Sequence, residues 1–202
     1  MKLLLFSDLH ADAAAAERLA AMAAEADLLI GAGDLGNLRR QVEVCLKVLG
    51  RTHKPALLTP GNNESDEELR AAAARWWPES QVLHGAGTEV GGRTFFGLGG
   101  GVPTTPFGDW SFDLSEAEAE QRLAAMPIGA VLVSHSPPRG CVDRDSRGRS
   151  LGSESVRAAI MRAGAPLAVC GHIHGSGGQT GWLGECRVVN AGPTGVWATL
   201  SG

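Results

Sequence analysis

No stretch of this 202-residue chain approaches the ~20 consecutive apolar residues of a membrane span. The opening "MKLLLFSDLH" has one lysine and a short apolar run, without the longer apolar region and small-residue cleavage site of a secretory leader. Cysteine is scarce: Cys45, Cys141, Cys170 and Cys186 are scattered and form no C-x-x-C pair. These absences predict a cytoplasmic protein with reduced thiols. Basic residues are not in surplus either. A net charge of −4, with no basic aromatic-rich strip, argues against a surface built for long nucleic acids or anionic membranes. Internal repeats and linkers are also lacking, so one domain over residues 1–202 is expected.

What is present is an alternation of short apolar runs and helical patterns. "KLLLFS" (2–7), "DLLIGAG" (27–33) and "PALLTP" (55–60) read as strands. Between them, residues 12–26 are rich in strong helix formers and residues 38–49 carry helical spacing. Nearly continuous apolar strands separated by helices indicate a buried, largely parallel α/β sheet. Ser65 and Glu68 form a capping box for a helix over 65–77, and Ser115 and Glu118 mark another that ends before Pro127. Short antiparallel strands are expected in the middle of the chain, followed by a Gly/Pro-rich loop at 99–114. "AVLVSH" (130–135) and "LAVCGH" (167–172) are further buried strands, with a helix near 153–163 between them. A polar loop at 136–150 is longer than most connections, and further strands are expected around 179–189 and 194–200.

The residues that follow the apolar strands have a common chemistry. Asp8 and His10 come after the first, Asp34 after the second and Asn62 after the third; His135, His172 and His174 follow later ones. Ligands collect at the carboxyl ends of strands in open α/β sheets, so these seven could converge. Imidazole nitrogen with carboxylate oxygen suits divalent Mn, Fe, Zn, Ni or Co. Seven such residues without a thiolate are too many for one tetrahedral zinc. They fit two ions about 3.5–4 Å apart, the spacing of two-metal hydrolases. Each residue alone also has an ordinary structural use. Asp8 or Asp34 could cap a helix, and His135 could be a hydrogen-bonded core histidine. His172 and His174 are harder to explain singly, because alternation in an extended segment would crowd both on one face.

Taken in order, D-x-H (Asp8, His10), G-D (Gly33, Asp34), G-N (Gly61, Asn62), His135 and G-H-I-H (171–174) resemble the calcineurin-like metallophosphoesterases. The resemblance runs from residue 8 to residue 174. It implies an α/β fold, a four-layer sandwich of two mixed β-sheets flanked by α-helices, with a dinuclear metal centre at the strand ends. Carried over position by position, Asp8, His10 and His174 would bind one ion. Asn62, His135 and His172 would bind the other, and Asp34 would bridge. The implied reaction is hydrolysis of a small phosphorylated substrate by a hydroxide shared between two ions, with manganese the metal expected to support activity in an assay. Oligomeric state stays open.

One position departs from the family pattern. Where relatives carry a histidine after G-N, this chain has Asn63, whose amide donates a hydrogen bond but transfers no proton near neutral pH. That favours phosphodiesters or activated esters over alkyl phosphomonoesters, with a phosphomonoesterase or protein phosphatase as the alternative. A non-catalytic scaffold on the same fold is a further alternative, although all seven positions keep coordinating side chains. His84 and His53 are the spare imidazoles that could replace the missing acid. Arg139, just after His135, is either a phosphate clamp or a solvated loop arginine. Cys170 reads as a buried strand residue outside the metal shell.

Overall fold

The computed structural model describes residues 1–200. Two mixed sheets pack face to face, and helices cover both outer faces. The first sheet has the order β11-β1-β2-β3-β4, built from Val196–Thr199, Lys2–Phe6, Leu28–Ala32, Ala56–Thr59 and Ser80–Val82. The second has the order β5-β6-β7-β8-β10-β9, built from Ala86–Val90, Arg93–Leu98, Val131–Ser134, Leu167–Cys170, Cys186–Asn190 and Thr180–Leu183. β1, β2, β3 and β4 run parallel, as do β6, β7, β8 and β10. Antiparallel strands β11, β5 and β9 occupy edges.

The four layers follow from period-two alternation in strands that are apolar on both faces. Leu3, Leu5, Leu28 and Ile30 point inward to meet Phe95, Val131, Val133 and Val169 of the other sheet. Leu4, Phe6, Leu29 and Leu58 point the other way, under α1 (Ala13–Ala23), α2 (Val42–Gly50) and α3 (Asp66–Trp76). Phe96, Leu98, Leu132 and Cys170 meet α4 (Glu116–Leu123) and α5 (Glu154–Ala163) on the opposite side. Cys170 therefore lies on the helix side of β8, and its thiol donates to the Val189 carbonyl. All four cysteines are buried and free.

Capping agrees with the sequence at Ser65 and Ser115, where both halves of each capping box form. The carboxylate that caps α1 is Asp12, accepting from the Ala14 and Ala15 amides. Neither Asp8 nor Asp34 caps a helix; both turn into the space between the sheets' carboxyl ends. The helix expected from residue 38 starts only at Val42. Leu38, Arg39 and Gln41 have positive φ, and the amides of Leu38 and Arg39 are taken by Asn63 instead of by a helical ladder. β4, a three-residue edge strand parallel to β3, had no counterpart among the strands expected from the sequence.

Candidate metal centre

Because the sheets stack, the ends of β1, β2 and β3 face the ends of β7 and β8. The seven strand-end residues converge there in two groups that share Asp34. Donor atoms of Asp8, His10, Asp34 and His174 lie within 4.8 Å of one another, as do those of Asp34, His135 and His172. Asn62 joins the second group, its Oδ1 lying 3.2 Å from His135 Nε2. This partition coincides with the one implied by the motif order.

Four of the seven donors are held from behind. Asp8 takes the Ser7 hydroxyl at 2.5 Å and the His172 backbone N–H at 2.9 Å. Asp34 accepts from the Asn63 backbone N–H through Oδ1 and from the Asn63 side-chain amide through Oδ2, both at 2.8 Å. His135 donates Nδ1–H to the Ala32 carbonyl at 2.7 Å, which points Nε2 at Asp34 and Asn62. The Asn62 amide nitrogen donates to Ser111 Oγ at 3.0 Å, which directs its oxygen into the centre.

The backbone is unusual at the same places. Asp8, His10, Asp34 and His172 all have φ between 46° and 66°, in the left-handed region that non-glycine residues seldom occupy. Such conformations cost of order 1–3 kcal/mol each and persist where surrounding contacts enforce them. They also correct one sequence expectation. β8 ends at Cys170, and His174 opens a 3-10 turn (His174–Ser176), so the two histidines are not neighbours on one extended face. His172 turns towards His135, with ring centroids 4.8 Å apart, and His174 turns towards His10, with Nε2 atoms 3.0 Å apart. Gly33 and Gly61 meet beneath Asp34. A Cβ on Gly33 would come within 2.6 Å of both the Gly61 Cα and His135 Nδ1.

The electrostatics are those of a cation site. Asp8 and Asp34 are buried, which opposes their ionisation, yet surrounding imidazoles hold both carboxyls below the usual range. His135 is fully buried, which resists its charging, but Asp34 and Asp8 push it up to about 9. Burial and the neighbouring charge of His135 pull His172 down to about 4. Divalent cations held here would offset the charge of the buried carboxylates. The spacing is close to that of an occupied site. Donors bound at ~2.0–2.2 Å to one ion stand about 2.8–3.6 Å apart. Here His10–His174, His135–Asp34, His174–Asp8 and His10–Asp34 donor pairs are 3.0, 3.5, 3.6 and 3.7 Å apart.

Two supporting residues were not expected from the sequence. Glu64, 1 % exposed, accepts the amides of Leu35, Gly36 and Gly61, tying the loops after β2 and β3 together. Its signal is the acidic residue that closes the G-N motif. Burial and Asp34 push its carboxyl up to about 7. Asn190, at the end of β10, donates its amide to the carbonyls of Gly171 and Ile173 on both sides of His172. Applying the strand-end rule to β10 would have found it.

A cleft of about 710 Å³ opens over the centre. His10, Asp34, Asn62, Asn63, His172 and His174 form its floor; loop residues 103–110 and 145–151 form its walls. Arg139 does not line it. The Arg139 amide bonds to the Ser153 carbonyl, which turns the side chain onto α5, 4.0 Å from Glu154. The arginine in the wall is Arg149, paired with Asp145 at 2.7 Å. The spare histidines lie elsewhere as well. His53 is paired with Glu79, and His84 accepts from the Gly99 amide while packing on Phe112.

A sequence model of the calcineurin-like phosphoesterases matches residues 1–176. The chain belongs to this family. Solved structures with the same fold include the Thermus thermophilus protein TT1561, at 22% identity and TM-score 0.77, covering 96% of this chain and 90% of that one. The phosphopantetheinyl hydrolase of Mycobacterium tuberculosis aligns at 16% identity and TM-score 0.62, over 95% of this chain and 88% of the other. Purple acid phosphatase PPD1 from yellow lupin seeds aligns at 13% identity and TM-score 0.55, over all of this chain and 46% of that one. No curated protein sequence matches significantly. No helix among the described residues of this calcineurin-like phosphoesterase is long and apolar enough to cross a membrane.

Proposed function

We propose that this calcineurin-like phosphoesterase hydrolyses small phosphate diesters or activated phosphate esters with a pair of divalent transition-metal ions. The observation that carries the reading is the sharing of Asp34 between two compact donor groups. Asp8, His10, Asp34 and His174 would hold one ion; Asp34, Asn62, His135 and His172 would hold the other. The ions would supply Lewis acidity, activating water and neutralising charge on phosphoryl oxygens.

The chain contributes orientation. Ser7 and the His172 amide fix Asp8, Asn63 fixes both oxygens of Asp34, and the Ala32 carbonyl sets the His135 tautomer. These hydrogen bonds hold the donors in place before substrate arrives, so little reorganisation accompanies the reaction. Asn63 also bears on the leaving group. Its amide is committed to Asp34 and to the Leu38 N–H, and an amide is no proton donor in the acid–base sense. A positioned general acid is worth ~10²–10⁴-fold in rate, and most of that benefit falls on strongly basic alkoxide leaving groups. Aryl or phosphate leaving groups need it least.

The test strips the protein of metal and restores Mn, Ni or Co separately. Bis(p-nitrophenyl) phosphate and p-nitrophenyl phosphate are then compared at matched metal. The expected result is metal-dependent turnover that favours the diester. Absence of turnover on both esters with all three metals overturns the reading, and preference for the monoester moves it to a phosphomonoesterase.

A further inference from the structure

We propose that the wall formed by Phe107 and Trp110 is a stacking platform for a nucleobase, and that the substrate is a nucleotide-sized ester. This rests on the phosphoesterase reading of the floor beneath it. Phe107 and Trp110 lie nearly parallel, with ring centroids 5.7 Å apart and 15° between planes, and both line the cleft. Six large apolar side chains among the described residues are well exposed. Two of them, Phe107 and Leu151, line this cleft. Exposed apolar side chains gathered at a concave site mark ligand binding.

The platform is fixed in register with the metal centre. Phe112 donates its amide to the Asn62 carbonyl at 2.9 Å, and Ser111 Oγ receives the Asn62 side-chain amide. Asp113 then ties Ser111 to Thr105 across the loop, and Arg39 donates to the Trp110 carbonyl at 3.3 Å. A flat group on the platform therefore stands at a set distance from a phosphate over Asn62. The cleft is also lined by Ser146 and by the paired Asp145 and Arg149, polar groups that suit a sugar hydroxyl or a base edge better than a plain alkyl chain. A cleft of about 710 Å³ is large enough for one nucleotide.

The test is a binding measurement on the Mn-loaded protein, comparing adenosine 5′-monophosphate, ribose 5-phosphate and hexyl phosphate by calorimetry. The expected result is that the nucleotide binds about tenfold or more tightly than ribose 5-phosphate, the range of a single base–aromatic stack. Trp110→Ala should bring that ratio close to one, and Trp110→Phe should retain most of it. Circular dichroism confirms that each variant is folded, and exposed Phe107→Ala provides an independent lesion of the same platform. Equal binding of the nucleotide and ribose 5-phosphate overturns the proposal. So does hexyl phosphate binding as well as the nucleotide, or a ratio indifferent to both Trp110→Ala and Phe107→Ala. Nucleobase-selective binding without turnover on any ester would retain the platform and overturn only the hydrolytic reading.

Discussion

Asn63 donates its side-chain amide to Asp34 Oδ2 while its backbone N–H serves Asp34 Oδ1, each at 2.8 Å. One residue thus fixes both oxygens of the carboxylate common to the two donor groups. Asn63→Ala removes the side-chain bond and also strands the Leu38 amide, which loses its Asn63 Oδ1 acceptor. Leaving the buried Asp34 oxygen without its partner costs about 1–3 kcal/mol. The variant should melt at a lower temperature and bind metal more weakly. Thermal denaturation of the metal-free form, followed by metal titration, measures the two effects separately.

Asp34 and His135 should differ in what their loss removes. Asp34 belongs to both donor groups, whereas His135 belongs to one. Asp34→Ala should therefore lower the bound metal from two equivalents to one or fewer. His135→Ala should leave the site of Asp8, His10 and His174 able to bind one ion. Elemental analysis after dialysis against manganese measures this, and equal losses in both variants would contradict the shared role of Asp34.

These residues also indicate how much of the centre was legible in the sequence. Metal-type side chains after apolar strands can be read because a parallel α/β arrangement sends every such strand end to one edge. The α/β alternation was legible for the same reason, since its strands are buried on both faces and read as continuous apolar runs. What could not be read were directions set by non-local hydrogen bonds. Leu38 and Arg39 have helical spacing, but Asn63, some 25 residues away, takes their amides and delays α2 to Val42. The left-handed turn at His172 depends on Asp8 and Asn190, from opposite ends of the chain. Arg139 and Arg149 look equivalent in a polar loop, and only the pairing of Pro138 with Ser153 turns one of them away.

That loop has its own anchor. Asp143, 1 % exposed, accepts the amides of Gly140 and Gly152 and the Ser150 hydroxyl, all through Oδ2. Burial opposes its ionisation, but these donors hold its carboxyl below the usual range. A depressed carboxyl adds stability that is present above its unfolded pKa of ~3.9 and lost as pH falls through the lower folded value. Asp143→Asn should accordingly melt below the parent at pH 7, and the gap should narrow below about pH 4. A gap that stays constant down to about pH 3 would show that the charge is not what anchors the loop.

Gly61 has no room for a side chain. An added Cβ would overlap the Asp34 carboxylate and backbone nitrogen, so Gly61→Ala must displace either the loop or the shared ligand. Overpacking of this kind costs about 1–3 kcal/mol. The expected outcome is a lower melting temperature together with loss of metal. Gly184, whose nearest neighbours would be the flexible end of Met161 at 3.5 and 3.7 Å, is the control. It has a positive φ but not the crowding, so Gly184→Ala should destabilise without changing metal content.

The remaining prediction concerns the leaving group. Asn63 lines the cleft floor and is held at Asp34, so a histidine there could keep that bond through one ring nitrogen and offer the other to the cleft. If protonation of the leaving oxygen limits turnover, Asn63→His should raise kcat for alkyl esters by up to about 10²-fold. Aryl esters, whose leaving groups are weak bases, should gain far less. Comparing ethyl p-nitrophenyl phosphate with a dialkyl phosphate at saturating manganese reads the difference directly. Equal gains on both substrates would assign the effect to repositioning of Asp34. A loss on both would mean that the imidazole cannot replace the amide without disturbing the shared ligand.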